Sequence, residues 1–246
     1  MKKKILFYHP KFDDGGVEKT NLRISEKLSK RYDIYFLSNS FSNKFNEEIK
    51  RIGIKKILVP SKKAIFGIMG LIRVYKKIKP DLIFSHQTHA NVISLILNFF
   101  FFGNKLKIIC CERISIKRYE WNLKGRLIIF LAKLIYRYSK LVICNSKELS
   151  REFKTFSKNL KVIHIYNPTL NSNFNLLSKK FRINAEPFFK KKKPILFSLG
   201  RLDYNKNNIM LLKAYNEIKD KIRCNIVLMG DGNEKNMLFD YAKKNN

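Results

Sequence analysis

Acidic residues are scarce in this chain: 19 Asp and Glu face 51 Lys and Arg, a formal net charge of +32 over 246 residues. A surface so short of carboxylates attracts polyanions, which leaves nucleic acid, anionic lipid headgroups and phosphorylated small molecules as candidate partners. Glycine is also sparse while Lys, Asn and Ile abound, so a general spread of lysine over exposed faces accounts for the charge equally well. Cysteine is limited to Cys110, Cys111, Cys144 and Cys224, all in apolar, strand-like runs and none in a C-x-x-C pair. That excludes a disulfide framework and a cysteine zinc site, and fits buried free thiols in a reducing compartment. The apolar part of residues 1–8 is too short for a signal peptide. The longest apolar run, "NVISLILNFFFFG" at 91–103, falls short of the roughly 20 residues that cross a bilayer. It reads as a buried or an interfacial helix. No helix-turn-helix, zinc or RNA-binding signature is present, and the lysines form no single stripe, so nucleic acid is not the expected partner.

What is present is rhythm. Short β-branched and aromatic runs at 5–9, 33–39, 54–60, 81–86, 106–112, 140–146 and 161–167 read as strands covered on both faces. Helical patterns lie between them at 17–31, 64–79, 89–101 and 125–139. In the first of these Val17, Ile24 and Leu28 share a face with Asn21. Such alternation with short connections predicts right-handed βαβ units in a parallel, doubly wound α/β sheet. After Pro168 the pattern lapses: 169–193 is polar, aperiodic and lysine-rich, and reads as a linker. Strand, helix, strand and helix then follow at 194–200, 207–220, 224–230 and 234–246. The expected organisation is a Rossmann-like domain at 1–168, the linker, and the opening βαβα of a second Rossmann-like domain at 194–246. Two strands alone make a marginal sheet, so the second domain is expected to be incomplete.

Two loops carry candidate chemistry. In "PKFDDGGVEK" (10–19), Gly15 and Gly16 separate a strand from a helix. Lacking Cβ atoms, they let a ligand approach the backbone, beside helix N–H groups that favour an anion. A tight turn explains the pair equally well. The spacing is neither G-x-G-x-x-G nor a Walker loop, which disfavours classical dinucleotide or ATP binding. In "LGRLDYNKNN" (199–208), Gly200, Arg201 and Lys206 precede a helix. A planar guanidinium fork and a mobile ammonium suit a pyrophosphate. His86 and His89 in "SHQTH" lack further ligands at useful spacing, so no metal is expected; His86 reads as cleft lining and His89 as a helix-start position. Asp13 and Asp14 suit a helix amino terminus better than acid-base chemistry, and "GDG" at 230–232 reads as a turn.

The segments "GGVEKTNLRISEKLSKRYDIYFLS", "KPDLIFSHQTHANVISL", "SKLVICNSKELSREF", "KVIHIYNPTL", "FSLGRLDYNKNNIMLLKAY" and "IVLMGDGNEK", in that order, resemble the GT-B glycosyltransferases of family 4 over essentially the whole chain. The resemblance implies a retaining enzyme with two Rossmann-like domains facing a cleft. Its substrates would be a UDP- or GDP-linked sugar and a lipid-linked or cell-surface glycan, with no cofactor. Gly15 and Gly16 would match the family's glycine loop near the donor phosphates. Arg201 and Lys206 would match the basic pair that neutralises the diphosphate leaving group. Asn167 and Pro168 would match the strand-to-hinge junction. Where many members carry a histidine, Glu112 and Arg113 stand here; Arg113 is expected to face the reacting sugar or the acceptor phosphate, with His86 as a second catalytic candidate. The family's segment with two glutamates has no counterpart, so the expectation is a truncated chain with impaired or absent transfer, or an inactive acceptor-binding scaffold. The basic surface, "NFFFFG" and "KGRLIIFLAKLIYRYSK" suit docking on anionic lipid at the cytoplasmic face of a membrane.

Overall fold

The computed structural model describes residues 2–13, 15–60, 64–168 and 193–245. Asp14 and, Lys193 apart, the linker expected at 169–193 lie outside the described residues. The chain divides into two units, Met1–Ser172 and Asn173–Asn246.

In the first unit the apolar runs form seven parallel strands. They are β1 (Lys4–Tyr8), β2 (Asp33–Ser38), β3 (Lys55–Leu58), β4 (Leu82–His86), β5 (Ile108–Glu112), β6 (Leu141–Cys144) and β7 (Val162–His164). Their spatial order is β3-β2-β1-β4-β5-β6-β7. Successive side chains of β1 point to opposite faces and feed opposite cores. Leu6 and Tyr8 join Ile83, Leu95 and Tyr136 on one face, while Ile5 and Phe7 join Leu22, Phe36 and Ile49 on the other. That two-sided burial is why the strands read as continuous apolar runs. Helices α1 (Gly16–Leu28), α2 (Asn46–Ile52), α3 (Ala64–Ile78), α4 (Thr88–Phe102), α5 (Leu123–Ile135) and α6 (Lys147–Lys154) complete the unit. Strand order reverses between β1 and β4, and in such sheets the crevice at that switch point, beyond the strands' carboxyl ends, is where ligands bind. β1 and β4 pair in register, Tyr8 opposite Ser85.

Two details depart from the sequence reading. The buried residues of α1 are Glu18, Thr20, Asn21, Leu22 and Ser25, a largely polar set, while Val17, Ile24 and Leu28 are only partly buried. Asn21 is therefore the centre of the packed face rather than a polar exception on an apolar one. Helices α2 and α6 form where none was expected: α2 buries only Ile49, and α6 is one short stretch capped by the Ser146 hydroxyl, which accepts from the Leu149 N–H. The run at 91–103 is a mostly buried α4 whose last turn exposes Phe99, Phe100 and Phe101.

The second unit pairs β8 (Ile195–Leu199) with β9 (Asn225–Met229) in parallel, packed by α7 (Asn208–Ile218) and α8 (Lys235–Lys244). Its buried core is Leu202, Leu212 and Leu238, and Phe197 in β8 remains 51% exposed. Gly230 and Gly232 are explained by the chain itself. A Cβ on either would strike the carbonyl oxygen of Gly200 or Leu202, at 1.8 and 2.3 Å, where the two strand-end loops cross.

Candidate active site

The polar side chains of the first unit gather at the β1–β4 switch point. His9, one residue beyond β1, and His86, the last of β4, are buried with ring centroids 5.4 Å apart. The Asn21 amide of α1 lies 3.2 Å from His86 Nε2. His9 Nδ1 donates to the Lys11 carbonyl at 2.6 Å and lies 3.9 Å from the Glu18 carboxylate. Burial lowers the His9 pKa to about 4 and that of His86 well below its ordinary value. Both imidazoles are neutral at neutral pH. Each keeps one buried ring nitrogen without a hydrogen-bond partner, Nε2 of His9 and Nδ1 of His86.

At the end of β5, Glu112 and Arg113 point to opposite faces of the sheet. Glu112 is buried and accepts from Thr88 Oγ1 at 2.9 Å, Asn91 Nδ2 at 2.6 Å and the Tyr136 hydroxyl. Burial raises its carboxyl to about 7 despite these three donors. It ties the first turn of α4 to the residue that follows α5. Arg113 is partly buried and donates through Nη1 to Asn167 Oδ1 at 2.5 Å, while its Nε is buried without a partner. Asn21, His86, Glu112, Arg113, Asn145 and Asn167 border one cavity of about 470 Å³, floored by Phe7, Phe84 and Ile143. The unpartnered Arg113 Nε–H, and the His86 Nδ1–H present when Nε2 accepts from the Asn21 amide, suit an oxygen-rich, anionic group, while the unpartnered Asn21 Oδ1 suits a hydroxyl donor.

The glycine loop stands at the edge of this cluster. Gly15 caps α1 without a side-chain hydrogen bond. Glu18 reaches back over it and accepts from the backbone N–H groups of Asp13 and of Glu18 itself, which partly offset the upward push of burial on its carboxyl. A Cβ on Gly15 would lie 2.4 Å from Glu18 Oε2, whereas one on Gly16 would meet nothing within 4 Å. Thus the chain's own carboxylate occupies the space above Gly15, and open space lies beside Gly16. Neither glycine borders the 470 Å³ cavity, although Thr20 and Asn21, one turn further on, do.

In the second unit Arg201 and Lys206 share the loop between β8 and α7. Arg201 stands in solvent, paired with Asp203 at 3.2 Å. Lys206 is exposed, and its aliphatic stem packs beside Gly200. His89 lies in the first turn of α4, where partial burial lowers its pKa. The four cysteines are buried, and burial pushes the Cys111 thiol up to about 12. Among the described residues no group of three or more His, Cys, Asp or Glu gathers to hold a metal ion.

Sequence reasoning singled out His86 and Arg113 but passed over His9, Glu18 and Asn21 as site residues. A signal for two of them existed. His9 is the first polar residue after β1, and Glu18 sits three residues past the helix cap, the position from which an acid reaches back.

A parallel α/β sheet with a partly buried cation and neutral histidines at its switch point defines a ligand-binding protein of the doubly wound class. Residues 14–169 match the model of Glycosyltransferase Family 4, and residues 179–246 match that of Glycosyl transferases group 1. The chain belongs to glycosyltransferase family 4. It is 28% identical over 220 residues to an uncharacterized glycosyltransferase of Methanocaldococcus jannaschii, covering 82% of this chain and 50% of that protein. It is 26% identical over 247 residues to the N-acetylgalactosamine-N,N'-diacetylbacillosaminyl-diphospho-undecaprenol 4-alpha-N-acetylgalactosaminyltransferase of Campylobacter jejuni, covering 94% of this chain and 64% of that one. The fold matches the Anabaena protein HepE, solved in complex with UDP-glucose, with a TM-score of 0.71 at 17% identity; 98% of this chain and 65% of that one are covered. The chain thus spans about half to two-thirds of the length of these relatives.

Proposed function

We propose that this chain acts in transfer of a sugar, with retention, from a UDP- or GDP-linked donor to a lipid-linked or cell-surface glycan. The observation that carries this reading is Arg113: a partly buried guanidinium, anchored by Asn167 and bordering the switch-point cavity of a family 4 glycosyltransferase sheet. Departure of a nucleoside diphosphate, or approach of a phosphate-linked acceptor, places negative charge where a preorganised cation in a dry pocket stabilises it most. In this reading Arg113 faces the reacting sugar or the acceptor phosphate. His86, neutral and held by Asn21, orients a substrate hydroxyl by hydrogen bonding. Gly15 and Gly16 lie near the donor phosphates, with the open side of Gly16 giving the closer approach. Arg201 and Lys206 neutralise the diphosphate as it leaves. The chemistry needs no cofactor and no metal.

The substrate class is supported by the UDP-glucose bound to HepE and by the diphospho-undecaprenol acceptor in the name of the Campylobacter relative. A lipid-linked acceptor places the work at the cytoplasmic face of a membrane. Incubating the purified chain with UDP- and GDP-sugars and a polyprenyl-diphosphate-linked saccharide tests the reading. Release of nucleoside diphosphate that depends on the acceptor is the expected outcome. No release from any donor, with the acceptor still bound, would replace the enzyme by an acceptor-binding scaffold.

A further inference from the structure

Helix α5 is apolar on two sides: Ile128, Ile129, Leu131 and Ile135 are partly buried against the core, and a second apolar set faces outward. Its buried residues are the two smallest, Gly125 and Ala132, while Leu123, Leu127, Phe130 and Leu134 are 81%, 57%, 59% and 48% exposed. These four recur at intervals of four, three and four residues, so they form one straight ridge along the outer side of the helix. The inward face leaves little choice of residue: a Cβ on Gly125 would fall 1.9 Å from the Tyr119 carbonyl oxygen. Close packing onto the short 3-10 turn Ile116–Tyr119 is thus secured with glycine, and the outward side of α5 displays a further set of large apolar side chains.

The ridge is extended at both ends. Trp121, 89% exposed, stands just before its first residue. At the other end the exposed Phe99, Phe100 and Phe101 of α4 are joined to it by the Phe99–Tyr138 ring contact at 5.0 Å. The flanks are cationic. Lys124, Arg126, Lys133 and Arg137 are all exposed, and from 113 to 140 there are eight Lys or Arg against Glu120 alone. Among the described residues no helix is long and apolar enough to cross a membrane.

We infer that the α5 ridge, with the exposed end of α4, is a docking surface for an anionic lipid bilayer, along which α5 lies flat in the interface. A helix with large apolar residues on one side and cations beside them inserts its ridge to the acyl boundary and places its charges among the headgroups. Aromatic rings at either end suit the same boundary. A second copy of the chain fits poorly, because pairing two such faces brings two cationic surfaces together without acids to meet them. This inference rests on the helix itself and stands whether or not the transfer reading holds.

Trp121 is the only tryptophan in the chain, which makes it a built-in reporter. The test is cosedimentation and tryptophan emission with phosphatidylcholine vesicles, with and without about a third phosphatidylglycerol. The expected result is binding and a blue shift with the anionic vesicles, and weak binding to the neutral ones. The double variant Leu127→Glu with Phe130→Glu should lower binding about tenfold or more. Phe239→Glu, at an exposed apolar site of the second unit, should leave binding unchanged. Because the substituted side chains are exposed, circular dichroism should show the fold retained. Should the double variant unfold, Lys124→Gln with Lys133→Gln takes its place and should remove the preference for anionic lipid. Equal weak binding to both vesicles, or undiminished binding by the folded variants, overturns the inference. So does self-association in solution that the same variants abolish, since the ridge would then be covered by another copy.

Discussion

In the first unit Arg113 is partly buried, held by Asn167 and surrounded by buried histidines; in the second, Arg201 stands in solvent with Asp203 as its partner. Both follow a parallel strand and both were read as anion-binding cations, yet their surroundings differ. The first cation has lost much of its hydration before any ligand arrives, and the low-dielectric setting strengthens its field. The second keeps its water and must exchange it for a ligand, as must Lys206. Support differs in the same way. Among the described residues, a seven-stranded sheet with an apolar core on each face holds the first site, while two strands and three buried leucines hold the second. A βα loop becomes a preorganised site only when its neighbours exclude water and fix the side chain.

Unfolding experiments give the largest handle on that contrast. Ile83→Ala, at a fully buried position of the central β4, should cost about 3 kcal/mol in denaturant unfolding of the first unit. Phe197→Ala, half-exposed in β8, should cost about 1 kcal/mol or less. Similar losses at both positions would erase the distinction.

The buried ionisable groups predict a pH signature specific to the first unit. His9, lowered by burial from 6.5 to about 4, contributes stability that is present above 6.5 and lost as pH falls through about 4. The loss approaches about 3 kcal/mol, and His86 adds in the same direction. Glu112 runs the other way: raised by burial from 4.5 to about 7, it contributes stability that is full below 4.5 and lost as pH rises through about 7. Stability measured against pH should therefore show a shallower acid-side fall in His9→Asn, the remainder being due to His86, and lose its fall between 4.5 and 7 in Glu112→Gln. Unchanged profiles in both variants would mean that these groups are not dry in solution.

Arg201→Ala and Lys206→Ala should each weaken UDP or GDP binding about tenfold, the scale of one charge-assisted contact. The same changes should leave stability within about 0.5 kcal/mol, since both side chains are solvated. Calorimetric titration alongside thermal melts distinguishes the two effects. The smallest stability change is expected for Gly16→Ala, within about 0.5 kcal/mol, because the added Cβ meets no protein atom. Any loss of nucleotide affinity in this variant would then report a ligand close to the backbone. Gly15→Ala cannot serve that purpose, since it disturbs Glu18 first.

The strands, their parallel order and most helices were legible because two-sided burial writes continuous apolar runs and βα alternation restricts topology. The polar face of α1 was not. Periodicity assigns the apolar side inward, but at a switch point the helix packs Asn21 and Glu18 against His86 and His9, and no pattern in α1 alone reveals those partners. Helix α5 carries apolar residues on two sides, so its pattern does not show that Gly125 and Ala132 are its buried residues while Leu123, Leu127 and Leu134 remain outside. Helix α2 was missed because seven residues with one buried side chain carry almost no periodic signal. At the site, His86 and Arg113 could be located from their strand ends; their burial, their unpartnered atoms and the cavity beside them depend on contacts between residues far apart in sequence.

The central claim is that the Arg113 guanidinium stabilises charge on a reacting or phosphate-linked group. Acceptor-dependent release of nucleoside diphosphate by Arg113→Ala, compared with the parent chain, tests it most directly. The account predicts a fall of about a hundredfold or more, the scale of losing one preorganised electrostatic contact, with the thermal midpoint nearly unchanged. Release at the parent rate from a folded Arg113→Ala protein would contradict it.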